Sequence, residues 1–224
     1  MTGNRGNLLP VYVLADESGS MSPYIDELNR GLASLHEALL GEPMAAAKVR
    51  FSILGFADDV KERLRLADLR RENELPTLLA RGRTNYRAVF STLRQRIPQD
   101  VQALKKEGYA VHRPAVFLLS DGQPTDDQWA DVYRQLVDRT VTPCAPNVIA
   151  CGIGDVEAKT ILELATQPEY AFVAIAEVDM GTAIAQFCMA LTTSIVESGR
   201  SLGSAEPELL VQQPAGFRMA IDVV

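Results

Sequence analysis

Histidine and cysteine are scarce in this chain. Its 224 residues include two histidines, His36 and His112, and three cysteines, Cys144, Cys151 and Cys188. An odd count without a Cys-x-x-Cys spacing excludes a disulfide framework, and a chain of this length can bury a core without staples. Free thiols in a reducing cytoplasm are the simple account. Cys151 and Cys188 stand in apolar strings and read as core. Two distant histidines with no cysteine pair beside them leave no zinc site. Any run of about 18 apolar residues is also lacking, so no membrane span is expected. Residues 1–7 are polar, and the apolar run 8–15 is short and ends at Asp16 with no small-residue cleavage site, so no signal peptide is expected. Positive charge is in deficit, with 22 Lys and Arg against 29 Asp and Glu, a net charge of −7. Proteins that grip nucleic acid or anionic lipid draw most of their affinity from phosphate neutralisation, so neither is expected as the main partner. A P-loop, a Gly-x-Ser-x-Gly elbow and a Ser-His-Asp set are missing too.

Short apolar runs alternate with helical stripes. Residues 8–15, 115–119, 148–153 and 171–175 are near-continuous apolar runs, and 49–56 is similar with Arg50 and Ser52 interrupting it. Continuous runs of this kind belong to strands covered on both faces, as in parallel sheets. Between them, Ile25, Leu28, Leu32, Leu35 and Leu39 fall on one helical face. Ser22 before Pro23 reads as the start of that helix and Gly41 as its stop. Tyr86, Val89, Phe90, Leu93 and Ile97 form a second stripe, closed by Pro98, with the charged stretch 99–113 extending helix toward the next strand. Trp129, Val132, Tyr133 and Leu136 form a third, with Thr125, Asp126 and Asp127 at its start. Two more stripes lie at 161–165 and 184–195. Residues 60–66 follow the 49–56 strand after a hairpin-length turn and carry charges suited to an edge. The reading is one doubly wound α/β domain over residues 8–196. It has a mostly parallel central sheet, one antiparallel edge strand and helices on both faces. A tail follows at 197–224, with a short strand in 217–224.

In an open parallel sheet, ligands gather beyond the carboxyl ends of the strands, near the point where strand order reverses. After the first strand stands Asp16-Glu17-Ser18-Gly19-Ser20-Met21, and after the 115–119 strand Ser120-Asp121-Gly122-Gln123. Ahead of the second helix stands Gly82-Arg83-Thr84-Asn85. Asp16, Ser18, Ser20, Thr84 and Asp121 are hard oxygen donors, a set that suits Mg²⁺, Mn²⁺ or Ca²⁺.

Asp16-x-Ser18-x-Ser20, Thr84 and Asp121-Gly122 resemble the metal-ion-dependent adhesion site (MIDAS) of von Willebrand factor A domains, and the resemblance covers about residues 8–196. The blocks Asp16–Met21 and Leu119–Asp126 are most similar to the small bacterial TerY-like members, which are linked to tellurium-resistance and stress gene clusters and encoded near protein kinase and phosphatase genes. The resemblance implies a vWA fold and a Mg²⁺ site in which the Ser18 and Ser20 hydroxyls bind directly, while some of Thr84, Asp16 and Asp121 act through water. It also implies a cytoplasmic, non-catalytic protein-interaction module whose cation takes an Asp or Glu carboxylate from a protein partner, such as a kinase or phosphatase. Arg83 and Asn85 flank Thr84 where many members carry glycine, and Arg81, Arg83 and Arg87 place positive charge beside the site. Met21, Tyr24, Arg83, Asn85 and Gln123 are read as the partner-binding rim, although Met21 and Tyr24 equally suit packing over the metal loop.

Simpler readings stand beside these. Ser18 and Ser20 could be loop residues, and Glu17 is expected to face solvent. Arg81, Arg83 and Arg87 form either a solvated face or a patch that steers an acidic partner. Gly152-Ile153-Gly154-Asp155 lacks a third glycine and reads as a strand-to-helix turn capped by Asp155, not a dinucleotide loop. His36 is expected at the surface or boundary of its helix, and His112 in a loop. The alternative function is a Mg²⁺-dependent phosphate-ester hydrolase. A haloacid-dehalogenase-type site would need a second aspartate where Ser18 stands and a lysine on a later strand, and neither is present.

Overall fold

The structure, a computed structural model, describes residues 5–121 and 128–223. The strands are β1 (Asn7–Asp16), β2 (Val49–Phe56), β3 (Val60–Ala67), β4 (Ala110–Val111), β5 (Ala115–Ser120), β6 (Asn147–Gly152), β7 (Ala171–Ala174) and β8 (Phe217–Met219). They form one sheet in the order β3-β2-β1-β5-β6-β7-β8, with the short β4 pairing the start of β1. The pairings from β2 through β7 are parallel, and β3 runs antiparallel on β2 as the edge strand. The short strand expected in the tail is β8, which runs antiparallel on β7 and gives the sheet a second antiparallel edge.

The helices are α1 (Ile25–Leu40), α2 (Pro43–Ala46), α3 (Tyr86–Lys106), α4 (Trp129–Val137), α5 (Ala158–Leu164) and α6 (Met180–Ser201). The period of two along each strand sorts the core into two layers. Val11, Val13, Phe117 and Ile149 face α1 and α6, and pack with Leu28, Leu35, Phe187 and Leu191. Tyr12, Leu14, Val116, Leu118 and Val148 face α3, α4 and α5. On that second side Phe56, Tyr86, Phe90, Trp129 and Tyr133 interlock as tilted and edge-on rings with centroids 4.9–6.1 Å apart. Aromatic pairs in that range add about 0.5–1.5 kcal/mol beyond the area they bury.

Four local expectations are corrected. Ser22 does not start α1. Residues Gly19–Met21 wind as a 3-10 turn that Ser22 closes, donating its N–H to the Gly19 carbonyl, and the helix begins after Tyr24. Pro98 does not close its helix. The ring costs one backbone hydrogen bond, but Ile97, Val101 and Leu104 continue the buried stripe of Val89, Phe90 and Leu93, and α3 runs on to Lys106. Asp155 does not cap α5, whose N-cap position is Glu157. His36 is buried on the α1 stripe, with its Nε2 2.8 Å from the Leu69 carbonyl. α6 also extends past residue 196 to Ser201. The following tail lies along α6, with the backbone N–H groups of Leu210 and Gln212 donating to the Ser198 and Ser194 hydroxyls. The expected helix start at Thr125, Asp126 and Asp127 lies outside the described residues.

β1 is the strand from which the chain turns both ways: β2 and β3 lie on one side of it and β5, β6 and β7 on the other. Asp16, at the carboxyl end of β1, and Asp121, just past β5, therefore share the crevice where strand order reverses.

Candidate metal centre

Register brings the first two loops together. Ala15 pairs with Leu119 across β1 and β5, so Asp16 and Ser120 emerge side by side. The Asp16 carboxylate is fully buried. Its Oδ1 accepts the Ser18 N–H at 2.8 Å, and its Oδ2 accepts the Ser120 hydroxyl at 2.6 Å. The Thr84 hydroxyl donates to the same Oδ2 at 3.5 Å, the long end of a hydrogen bond. The Ser18 and Ser20 hydroxyls are 3.0 Å apart, and Ser20 donates to Asp121 Oδ1 at 2.9 Å. A continuous polar chain thus runs from Thr84 through Asp16, Ser18 and Ser20 to Asp121, and all five residues expected to ligate a metal lie on it.

Ser120 is a sixth member that sequence reasoning did not single out. It is fully buried at the end of β5 and shares a hydrogen bond with the Tyr86 side chain. Its signal was its place directly before Asp121 on a strand that pairs with β1.

The expected rim is only partly a rim. Met21 is fully buried in the α1–α6 core, which corrects its assignment: the 3-10 turn rotates the one apolar side chain of the loop inward. Tyr24 is half-buried against that same core. Arg83 is exposed, with its backbone N–H on Asp58 Oδ1 at 3.2 Å. Asn85 caps α3, accepting the Ala88 N–H at 2.9 Å, and donates to the Asp58 carbonyl. Gln123 lies outside the described residues.

Glu17 overturns its reading as a solvent-facing residue. It is fully buried. Its Oε1 accepts the Arg63 Nε and Nη2 groups at 3.0 and 2.7 Å, and its Oε2 accepts Arg81 Nε at 2.7 Å. Arg81, read with Arg83 and Arg87 as either a solvated face or a steering patch, is instead mostly buried and also pairs with Asp59. Backbone bonds tie the same two loops: Arg81 N–H to the Glu17 carbonyl at 2.5 Å and Gly19 N–H to the Gly82 carbonyl at 3.0 Å. The loop that carries Thr84 is thereby clasped to the loop that carries Ser18 and Ser20. The sequence signal was Gly55, an isolated glycine inside β2, because such a glycine marks a close approach. A Cβ there would sit 2.3 Å from the Glu17 carboxyl carbon. Of the remaining arginines, Arg83 and Arg87 are exposed beside Thr84.

The electrostatics separate neighbouring acids. Glu17 has two guanidiniums. Asp16 and Asp121 have no cationic partner among the described residues; hydroxyl and backbone donors alone face Asp16. Burial pushes the Asp16 carboxyl above the usual range, against the pull of Ser120, Ser18 and Thr84. Burial likewise raises Asp121, and the nearby Asp16 charge raises it further. Two coupled carboxylates without a counter-charge, ringed by hydroxyl oxygens, fit a hard divalent cation. No group of three or more His, Cys, Asp or Glu among the described residues could hold a metal. A cation here would therefore be held by two carboxylates together with hydroxyls.

The sequence profile of the von Willebrand factor type A domain matches residues 11–186. No curated protein sequence matches the chain. Among solved structures, the pilus adhesin SpaC from Lactobacillus rhamnosus GG is similar with a TM-score of 0.65 at 10% identity, over 88% of this chain and 31% of that one. Proximal thread matrix protein 1 from the mussel byssus, with a zinc-occupied MIDAS motif, gives 0.59 at 15% identity, over 86% and 48%. A von Willebrand factor type A protein from Catenulispora acidiphila gives 0.54 at 14% identity, over 85% and 43%. The chain spans less than half the length of each, and at these identities the likeness is one of fold.

Proposed function

The chain belongs to the von Willebrand factor type A domain family, and on that footing we propose that it is a non-catalytic, divalent-metal-dependent protein-interaction module. The observation that carries this reading is the buried Asp16, joined to Ser18, Ser20, Thr84 and Asp121 through backbone N–H and hydroxyl contacts, with no cationic side chain paired to it among the described residues. Mg²⁺ is the expected ion, with Mn²⁺ or Ca²⁺ as substitutes, because every donor is a hard oxygen. Bound there, the ion supplies a Lewis-acidic position for a partner's oxygen. Two aspartates only balance a divalent charge, so a partner's Asp or Glu carboxylate can enter without meeting net negative charge. The exposed Arg83 and Arg87 favour its approach. The zinc-occupied MIDAS motif of the mussel byssus protein supports the metal part of this reading.

From the resemblance of Asp16–Met21 and the block around Asp121 to TerY-like members, we infer that the partner is a kinase or phosphatase in a bacterial stress or tellurium-resistance complex. The setting is read as cytoplasmic on the three free cysteines. Separately, no helix among the described residues is long and apolar enough to cross a membrane.

The test is a calorimetric Mg²⁺ titration of the wild type, Asp16→Ala and Asp121→Ala, paired with turnover of a generic phosphate ester. One saturable site that both substitutions abolish, without turnover, is the expected result. A wild type that binds no divalent ion, or an Asp16→Ala variant that binds as well as wild type, refutes the metal site. Robust turnover lost in Asp16→Asn makes the protein a hydrolase.

A further inference from the structure

The end of the sheet opposite the metal-site loops holds a second cluster of charge. A cavity of about 230 Å³ opens there, near the starts of β1, β5 and β6. Its polar lining is His112, Arg113, Arg139, Asn147, Gln167 and Glu208. These six side chains make one hydrogen bond among the described residues, from Arg113 Nη1 to the Ala145 carbonyl at 2.5 Å. Neither arginine forms an ion pair among the described residues, although the chain as a whole carries a net charge of −7. Both guanidiniums line this one cavity, and burial, with the Arg139 charge, holds Arg113 below its usual range. Elsewhere in this molecule, buried or half-buried arginines face carboxylates, as Arg63 and Arg81 face Glu17. Here the half-buried Arg113 and the exposed Arg139 line one cavity, with two side-chain amides and an imidazole that make no side-chain hydrogen bond among the described residues.

We propose that this cavity is a binding site for a phosphate-sized oxyanion, held by the Arg113 and Arg139 guanidiniums and the Asn147 and Gln167 amides. The planar guanidinium fork matches phosphate oxygens two at a time. The volume selects the size of the ligand. Sites for drug-sized molecules run from about 300 to 1,000 Å³, so this one suits a phosphate group, free or on a small monoester, and is too small for a nucleotide. Ligands in doubly wound sheets ordinarily sit at the carboxyl ends of the strands. This site lies at the amino ends, away from Asp16 and Asp121, so its occupant does not compete with anything docked on the metal face.

The tail supplies one wall. Glu208 donates its backbone N–H to the Ser201 hydroxyl at 2.9 Å, which fixes the segment against the end of α6. Its exposed carboxylate is the one acid on the cavity lining. It opposes an anion and so provides a diagnostic of opposite sign to the arginines.

The experiment titrates inorganic phosphate, and separately glycerol phosphate, into metal-free protein, with chloride exchanged to hold ionic strength constant. Saturable binding in the millimolar range or tighter is expected. Arg139→Gln, an exposed position that leaves the fold intact, weakens it about tenfold through the loss of charge-assisted hydrogen bonds. Glu208→Gln tightens it about threefold by removing a nearby like charge. Arg83→Gln, at the other end of the sheet, leaves it unchanged. Preference for glycerol phosphate over inorganic phosphate assigns the site to monoesters, and the reverse assigns it to the free ion. No saturable binding in the wild type, or equal weakening by Arg83→Gln and Arg139→Gln, overturns the proposal. Because no divalent ion is present, neither result bears on the metal site.

Discussion

Replacing Glu17 by glutamine tests whether the clasp between the two metal-site loops serves the cation or only the fold. Gln keeps the volume and one acceptor but removes the charge that two guanidiniums share. Removing one partner of a buried ion pair costs about 3–5 kcal/mol. The arginines here are 18% and 19% exposed, and Arg81 keeps Asp59 and the Gly55 carbonyl, so about 2–4 kcal/mol is expected. For a domain of this size that is a fall in Tm of about 5–15 °C. Asp100→Asn is the matched control. Asp100 is equally buried, accepts Arg65 at 2.9 and 3.3 Å and the Tyr12 hydroxyl at 3.0 Å, and ties β3 to α3 away from the metal loops. Arg65 is 45% exposed, so about 1–3 kcal/mol is expected there. The two variants should separate in a Mg²⁺ titration run well below both transitions. Glu17→Gln should weaken Mg²⁺ by about tenfold, or about 1.4 kcal/mol, because the Thr84 loop is no longer registered against Ser18 and Ser20. Asp100→Asn should leave the affinity unchanged. If Glu17→Gln fails to fold, Arg81→Lys keeps the charge, loses the fork onto Gly55 and Asp59, and should show the same split more weakly. A folded Glu17→Gln protein with wild-type Mg²⁺ affinity refutes the reasoning.

The fold was legible where burial on both faces left an unbroken apolar run. β1, β5 and β6 are such strands, and the stripes of α1, α3 and α6 keep helical spacing because one side of each is covered. The convergence of Asp16, Ser18, Ser20, Thr84 and Asp121 was legible because each stands at a strand end or helix start, and the parallel sheet carries those ends to one crevice. What escaped was set by partners remote in the chain. Glu17 looks like any polar loop residue until β3 and the loop before Thr84 bring Arg63 and Arg81 onto it, and neither arginine has a spacing that announces the pair. His36 flanks the stripe of Leu32 and Leu35, a position that argued for the surface or the boundary. The Leu69 carbonyl that satisfies it belongs to a 3-10 turn (Leu69–Arg71) with no sequence signature. Met21 shows the converse: one apolar residue in a polar loop has no period from which its direction can be read. Pro98 is a case of tertiary burial outweighing local propensity, since the apolar stripe continues beyond the ring.

Three further outcomes follow from the same contacts. Gly55→Ala places a Cβ against a carboxylate that two arginines hold in place. It should cost about 1–3 kcal/mol in denaturant unfolding, as overpacking does, and weaken Mg²⁺ as Glu17→Gln does. In native protein a thiol reagent should label the half-buried Cys144 first. Cys151 and Cys188 are buried, with burial pushing the Cys188 thiol up to about 12, and should react only on unfolding. The last outcome concerns pH. Burial raises Asp16 in the folded state above its ordinary value of 3.8, so the folded protein holds that proton while the unfolded chain releases it. The unfolded state therefore gains as pH climbs from that value through the raised one, and the metal-free protein loses the corresponding stability across that window. Asp16→Asn carries no such group. In chelator its Tm should gain on the wild type as pH rises, and added Mg²⁺, which binds the ionised carboxylate, should reverse the order. A Tm gap that narrows with rising pH in chelator would mean that Asp16 is held charged by something other than a cation.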